Sequence, residues 1–310
     1  MNGERQVQPF AAGPVAGILN IDKPAGWTSH DVVARVRRLV GQKDVGHAGT
    51  LDPLATGVLL VCIGHATHVA GYLMAGRKVY RATVQLGLET DTYDVTGAVV
   101  ATAAVPPLAE ADLTRALAAF VGEIVQIPPA YSAIKRDGVP AYRRARRGEA
   151  VEMSDRRVTI YRIELLSWQP PHVTFEVTCD PGTYVRSLAH DLGRQLGCGA
   201  ALAQLRRLQS GRFRVEDAVT PDALAEAIRA GELGRHLHPL RAALDGLTPV
   251  AVDDALVRRL AHGQPIPCPA APPTAEGYAL SARGEVIALL DYRPATGQWW
   301  PKRVFVANHP

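Results

Sequence analysis

The segment from Gly46 to Gly57 constrains this chain more than any other. It reads Gly-His-Ala-Gly-Thr-Leu-Asp-Pro-Leu-Ala-Thr-Gly, so one carboxylate, Asp52, lies among small and turn-forming residues. Its glycines let the backbone approach a ligand closely, and Pro53 fixes the chain directly after the acid. The apolar run Val58–Ile63 follows as a buried strand. A lone Asp-Pro is usually an ordinary turn, but twelve residues of this composition indicate an acid held at a binding site.

Five more segments carry distinctive residues: Ile21–Ser29, Arg77–Ala82, Gly87–Asp94, Gln126–Lys135 and Gly182–Arg186. Together with Gly46–Gly57 they resemble the sequence blocks of the TruB family of tRNA pseudouridine synthases, in the order of that family. The resemblance covers residues 17–215. It implies a pseudouridine synthase fold and an isomerase that needs no cofactor. Such an enzyme breaks the N-glycosidic bond of a uridine, turns the uracil and rejoins it through C5.

The resemblance also assigns roles to the residues of the pocket. Asp52 matches the family nucleophile, and Arg186 matches the arginine that pairs with it. A fixed cation is needed there, because a carboxylate in a dry pocket is otherwise driven toward its protonated form. Tyr80 matches the tyrosine that stacks on the target base, while Tyr184 and Leu205 match residues that line the uracil pocket. Whether Asp52 attacks the sugar or adds to the uracil ring stays open.

A uridine stacked in a folded RNA loop must be flipped out before an enzyme can reach its glycosidic carbon. The implied substrate is the uridine at position 55 in the T-loop of tRNA, so the T-stem-loop is the expected partner. His47 is expected to contact the RNA where the base leaves, and Asp94 to order loops near the pocket. Phosphate contacts, which position RNA without selecting its sequence, are expected from Lys23, Lys135, Arg143 and Arg144.

Charge is concentrated in one segment. The formal net charge of the whole chain is only +4. Pro128–Arg157 alone holds eight Lys and Arg against four Asp and Glu, so this segment carries as much excess positive charge as the whole chain. Tyr131 and Tyr142 add faces for base stacking, a combination that suits RNA better than a membrane. A solvated helix face rich in arginine would have the same composition. By resemblance, residues 128–155 form the mobile thumb insertion of the family, which we expect to be poorly ordered without RNA.

The periodicity of apolar residues predicts an α+β fold with a mixed, mainly antiparallel sheet flanked by helices. Strands are predicted over 17–22, 58–63, 78–87, 97–102, 158–168 and 172–179. Helices are predicted over 67–74, 109–121, 183–196, 221–230 and 237–244. One more helix is predicted to begin after an N-cap at Thr28 or Ser29 and to end at Gly41.

The chain is expected to divide into three parts. Residues 1–16 form a flexible tail, and residues 17–248 form the catalytic domain. Residues 249–310 form a small β domain, with strands over 278–281, 286–292 and 299–306 between turns rich in Pro, Ala and Gly. Its position resembles that of the PUA-type RNA-binding domain of bacterial TruB proteins.

Several features argue against metals and membranes. The four cysteines are scattered, with no Cys-x-x-Cys pair, as expected of reduced thiols in a cytosol. His65 and His68 lack a third ligand cluster, so no metal is expected. The apolar runs fall short of the ~20 residues of a spanning helix, and no secretory signal opens the chain. We therefore expect a cytoplasmic protein without a membrane partner, and a monomer, because no long apolar stripe appears.

Three classes of function remain for comparison. A carboxylate-based glycoside hydrolase needs a second positioned acid, which the Asp52 loop does not supply. An RNA-binding or RNA-folding module that has lost catalysis would be expected to lack Asp52, Tyr80 or Arg186, and all three are present. The sequence therefore favours an RNA-modifying isomerase.

Overall fold

The computed structural model describes residues 15–129, 131, 135–136, 139–140, 144, 147, 149 and 153–305, with the backbone alone at 135–136 and 139–140. The chain begins with β1 (Gly17–Lys23) and α1 (Ser29–Val40). Thr28 is the N-cap of α1. Its hydroxyl accepts from the Asp31 N–H, and the Asp31 carboxylate accepts from the Thr28 N–H, which makes a capping box. Gly41 ends the helix in the left-handed conformation.

The elements that follow are given in chain order. The first part comprises β2 (Val45–Ala48), β3 (Thr56–Ile63), α2 (Ala70–Ala75), β4 (Lys78–Leu86), β5 (Leu88–Thr90), β6 (Val99–Thr102), α3 (Glu110–Ala118), β7 (Gly122–Gln126), β8 (Lys135–Arg136), β9 (Val139–Pro140), β10 (Arg156–Gln169), β11 (His172–Cys179), α4 (Val185–Leu196), β12 (Ala200–Ser210), β13 (Phe213–Arg214), α5 (Pro221–Arg229) and β14 (Leu237–His238). The C-terminal part comprises β15 (Thr248–Val252), α6 (Asp254–Ala261), β16 (Ile266–Pro267), β17 (Glu276–Ser281), β18 (Val286–Arg293) and β19 (Gln298–Val304).

The main sheet runs β14-β1-β3-β12-β4-β11-β10-β7, with β2 paired to β3 and β13 to β12. Within the described part of the chain its pairs are antiparallel, except that β12 runs parallel to β3. The sheet is thus mixed and mainly antiparallel, and the predicted α+β class is confirmed. β12 lies between β3 and β4, so it separates the strand that follows Asp52 from the strand that carries Tyr80.

Each face of the main sheet is covered differently. Helices α1, α3, α4 and α5 pack on one face, for example through Leu39 and Leu188, which are almost wholly buried. On the other face, Val58 and Leu60 of β3 share a core with Leu289 and Phe305 of the C-terminal part. That part has its own five-stranded sheet in the order β15-β17-β18-β19-β16.

Some elements differ from the prediction. Residues 237–244, predicted helical, form β14 and a 3-10 turn at Leu240–Ala243, because Pro239 between them lacks the N–H that a helix needs. The helix predicted over 67–74 begins instead as a 3-10 turn, Gly64–Val69, before α2. β12 and α6 were not predicted.

The backbone N–H and carbonyl of Val15 both bond to the Gln42 side chain, so this end of the predicted tail belongs to the folded body. Residues 1–14 of the predicted tail are outside the described residues. No described helix is both long and apolar enough to span a membrane.

Candidate active site

Asp52 lies in the turn between β2 and β3, and this turn is fastened on both sides of the acid. The Ser29 hydroxyl donates to the Leu51 carbonyl at 3.1 Å and accepts from the Leu51 N–H at 2.9 Å. After the acid, the Ala55 N–H donates to the Asp52 carbonyl at 3.0 Å. These contacts hold the backbone around Asp52 in one conformation.

Arg186, in the first turn of α4, pairs with Asp52 through two of its nitrogens. Its Nη2 donates to Oδ1 at 3.0 Å, and its Nε lies 2.9 Å from Oδ2. Nη1 donates to the carbonyls of Thr92 and Tyr131 at 3.2 and 3.1 Å. The Arg186 side chain is 5% exposed, while that of Asp52 is 32% exposed. The guanidinium is therefore fixed, and the carboxylate keeps one side open toward solvent.

Asp94 is a second carboxylate beside the same guanidinium. Its Oδ2 lies 3.9 Å from Nη1 of Arg186. Its Oδ1 accepts from the Thr92 hydroxyl at 2.9 Å, and from the N–H and hydroxyl of Thr96 at 3.0 and 2.5 Å. Asp94 therefore orders its own turn and also approaches Arg186.

The charge of Asp52 results from opposing effects. Burial raises the pKa of its carboxyl group above the ordinary value, and the Asp94 charge acts in the same direction. Arg186 and, more weakly, Lys23 lower that pKa. The ion pair with Arg186 thus favours the ionised form that a nucleophile needs.

A cavity of about 360 Å³ opens beside Asp52, within the size range of small-molecule sites. Five residues expected from the sequence meet there: Asp52, Tyr80, Tyr184, Arg186 and Leu205. Tyr80 and Leu205 are nearly buried, each 8% exposed, and burial raises the pKa of the Tyr80 phenol. The cavity is thus lined by an aromatic ring, an apolar side chain and a paired carboxylate.

Tyr184 precedes the first residue of α4 and is held by a buried glutamine. The Tyr184 N–H donates to Oε1 of Gln126 at 2.7 Å, and Nε2 of Gln126 donates to the Tyr184 carbonyl at 3.0 Å. Gln126 ends β7, so the sheet itself positions the start of the helix that carries Arg186.

Comparisons with known proteins identify the family of this chain. Residues 37–185 match the N-terminal domain model of the TruB family pseudouridylate synthases, and residues 186–245 match the C-terminal domain model of tRNA pseudouridylate synthase B. The chain is 44% identical to tRNA pseudouridine synthase B of Xanthomonas oryzae pv. oryzae (strain MAFF 311018), over 96% of each chain. It is 49% identical to that of Burkholderia mallei (strain NCTC 10247), over 80% of this chain and 82% of the relative. The chain belongs to the TruB family of tRNA pseudouridine synthases.

As a member of the TruB family, the protein is an isomerase. Its structure is similar to that of a Cbf5-Nop10-Gar1 complex, with a TM-score of 0.73 and 28% identity over 94% of this chain and 85% of that one. An H/ACA RNP bound to a substrate RNA containing 2′-deoxyuridine gives a TM-score of 0.72 and 26% identity, over 94% and 85%. The predicted pseudouridine synthase fold is confirmed.

Lys23 of this TruB-family enzyme does not face solvent. Its side chain is buried, and Nζ donates to the carbonyls of Pro24, Trp27 and Pro53 at 2.9, 2.6 and 3.4 Å. Burial lowers the pKa of its ammonium group to about 8. This corrects the expectation that Lys23 binds a phosphate: instead it joins the β1–α1 loop to the turn that carries Asp52.

Of the other residues expected to contact RNA, His47 and Arg144 do not line the cavity. His47 on β2 is half-buried with its ring 5.4 Å from that of His30, and burial lowers its pKa to about 4, so it is neutral. Arg144 donates to Glu149 at 2.8 Å. Only the backbone of Lys135 is described, and Arg143 lies outside the described residues.

Two site residues were missed from the sequence. Lys78 and Arg207 are buried and line the cavity. Lys78 lies two residues before Tyr80, and the strand period of two could have identified it. Arg207 lies on β12, which was not predicted as a strand.

Proposed function

We propose that this enzyme converts the uridine at position 55 in the T-loop of tRNAs to pseudouridine, with Asp52 as the nucleophile after the base is flipped out. The observation that carries the proposal is the pairing of Asp52 with Arg186 at the edge of a cavity that also holds Tyr80 and Leu205. No other paired carboxylate lines this cavity among the described residues.

The roles of the residues follow from their positions. The flipped uracil enters between Tyr80, which stacks on it, and Leu205, which supplies an apolar contact. Asp52, ionised by Arg186, acts on the sugar or on the ring while the bond between N1 and C1′ breaks. The uracil then turns, C5 bonds to C1′, C5 loses its proton and N1 gains one. This rearrangement is redox-neutral and needs no cofactor.

The remainder of the molecule serves RNA binding in this proposal. His47 contacts the RNA where the base leaves, and Lys135, Arg143 and Arg144 of segment 128–155 hold phosphates. Residues 17–248 form the catalytic domain, and residues 249–310 form a PUA-like RNA-binding domain. The enzyme acts as a monomer in the cytoplasm. The excess of positive charge in Pro128–Arg157 supports the phosphate contacts proposed for Lys135, Arg143 and Arg144.

The test is tritium release from tRNA labelled at C5 of uridine, since C5 must lose its hydrogen when it becomes the glycosidic carbon. The wild type is compared with Asp52→Asn and with the surface control Asp245→Asn, and tRNA binding is measured for all three. We expect release from the wild type and the control alone, with binding by all three, and no release from a tRNA with cytidine at position 55. Binding without any release would favour an RNA-binding module instead.

A further inference from the structure

Two cations are buried in the wall of the active-site cavity. Lys78 is 4% exposed and Arg207 is 1% exposed, and both line the cavity with Tyr80 and Asp52. In the described ranges, neither forms an ion pair with an Asp or Glu side chain, whereas Arg186 does. A buried charge without a counter-charge destabilises a protein, so its presence in a cavity indicates a function.

The sheet brings both cations to Tyr80. Lys78 and Tyr80 are separated by one residue on β4 and therefore face the same side. Arg207 on β12 is directly opposite Tyr80 in the pairing of the two strands, a position in which side chains contact each other. The three groups thus form one continuous wall.

Carbonyl groups hold these cations in place. Nζ of Lys78 donates to the Leu73 carbonyl at 3.2 Å. Nε and Nη2 of Arg207 donate to the carbonyls of Val58 and Gly49 at 2.6 and 3.0 Å. A carbonyl orients a cation but does not cancel its unit charge. Burial lowers the pKa of Lys78 to about 8, so the wall is positive at neutral pH.

The proposed reaction generates a negative charge in this cavity. When the bond between N1 and C1′ breaks, uracil keeps the electron pair and becomes an anion with charge on N1, O2 and O4. The charge disappears when C5 bonds to C1′, C5 loses its proton and N1 is protonated. Because Arg186 is already paired with Asp52, the wall is the available source of positive charge for the base. Fixed charges placed where charge develops are an effective way to lower a barrier.

We propose that Lys78 and Arg207 form a cationic wall that stabilises the uracil anion released from the sugar. This inference rests on the proposed function. It adds two electrostatic residues to the reaction, and it applies to the route in which Asp52 acts on the sugar and uracil leaves as an anion.

The test uses Lys78→Met, which keeps the length of the side chain and removes its charge, and Lys78→Arg, which keeps the charge. Single-turnover rates and tRNA affinity are measured with uridine and with 5-fluorouridine at position 55. Fluorine makes the uracil anion more stable by itself, so the departure of fluorouracil depends less on the wall. Because C5 cannot release fluorine as a cation, consumption of 5-fluorouridine is followed by mass spectrometry of the digested tRNA.

We expect Lys78→Met to lose about 100-fold in rate on uridine, the effect of removing one donor to a developing anion, and clearly less on 5-fluorouridine. Its tRNA affinity should be unchanged, a melting curve confirms that it is folded, and Lys78→Arg should recover activity. Equal losses on both substrates or a loss of affinity would assign Lys78 another role and overturn the proposal. A wild-type enzyme that forms no pseudouridine would instead overturn the proposed function, and this inference with it.

Discussion

Nη1 and Nη2 of Arg186 both donate to the carbonyl oxygen of Tyr131, at 3.1 Å each. Tyr131 lies near the start of the basic segment 128–155, so the guanidinium that pairs with Asp52 also fixes the backbone at this residue. The position of the Tyr131 carbonyl and the orientation of the ion pair with Asp52 are therefore coupled.

Arg186→Lys should lower turnover by about 100-fold or more while the protein stays folded. Lysine keeps the charge, but its single nitrogen cannot satisfy Asp52, Thr92 and Tyr131 together. Tritium release and a thermal melt measure the two effects. Arg194→Lys, on an exposed turn of the same helix, is the matched control and should retain activity. A near-normal rate for Arg186→Lys would show that charge alone suffices.

The rate should fall on acidification at a pH above the ordinary aspartate value of 3.8, because burial raises the pKa of Asp52. Only the ionised carboxylate acts as nucleophile, so activity is present above the shifted pKa and lost below it. Single-turnover rates between pH 4 and pH 8 measure this loss, which is the acid limb of the pH–rate profile. A melting curve at each pH confirms folding. A rate that stays flat down to the ordinary value would contradict the burial effect.

Asp94→Asn should move that acid limb to lower pH, because the Asp94 charge raises the pKa of Asp52. Asparagine keeps an oxygen for the hydrogen bonds from Thr92 and Thr96, so the turn should remain. Turnover at neutral pH should fall by about tenfold, equivalent to ~1.4 kcal/mol, as the second anion beside Arg186 is lost. An unchanged limb would show that Asp94 acts only on its own turn.

Gly57→Ala should destabilise the enzyme far more than Gly26→Ala. Both glycines have positive φ, +96° and +80°, so alanine costs each about 1 kcal/mol of backbone strain. At Gly57 the added methyl group would also overlap the Arg207 backbone where β3 meets β12, whereas the space around Gly26 is open. The melting temperatures of the two variants test this difference. Equal melting temperatures would show that β3 and β12 can move apart at Gly57 without a loss of stability.

Lys23→Met should leave the salt dependence of tRNA affinity unchanged and lower the melting temperature, because its ammonium group bonds to three carbonyls. Arg144→Met is the contrasting variant: if Arg144 holds a phosphate, the slope of log affinity against log salt should fall by about one. Affinity titrations at several salt concentrations compare the two. A reduced slope for Lys23→Met would restore its predicted role as a phosphate contact.

The sequence predicted those parts of the structure in which local preference and tertiary structure agree. The helix end at Gly41 and the strand His172–Cys179 carry clear local signals and were predicted correctly, and Thr28 is one of the two N-cap residues that the sequence predicted. β12 was missed because its Ala, Leu, Gln and Arg residues are helix formers without β-branched or aromatic members. Its pairing with β3 and β4 overrides that preference.

In the site, too, the sequence predicted some residues and missed those that depend on tertiary structure. Asp52 and Arg186, separated by 134 positions, could be paired only through the family motifs, and the structure brings them into contact. The role of Lys23 was predicted wrongly because the sequence around it does not show whether its side chain faces solvent or is buried against carbonyl groups. Arg207 was missed together with its strand.

The order of the main sheet has a consequence for synthesis of the chain. β12 is inserted between β3 and β4 although more than a hundred residues separate it from either of them along the chain. Domains fold as the ribosome delivers them from the N-terminus, but in a nascent chain that ends before Ala200 the strand between β3, which follows Asp52, and β4, which carries Tyr80, is missing. The enzyme therefore has no pocket, and no activity to regulate, until about two-thirds of its length has left the ribosome.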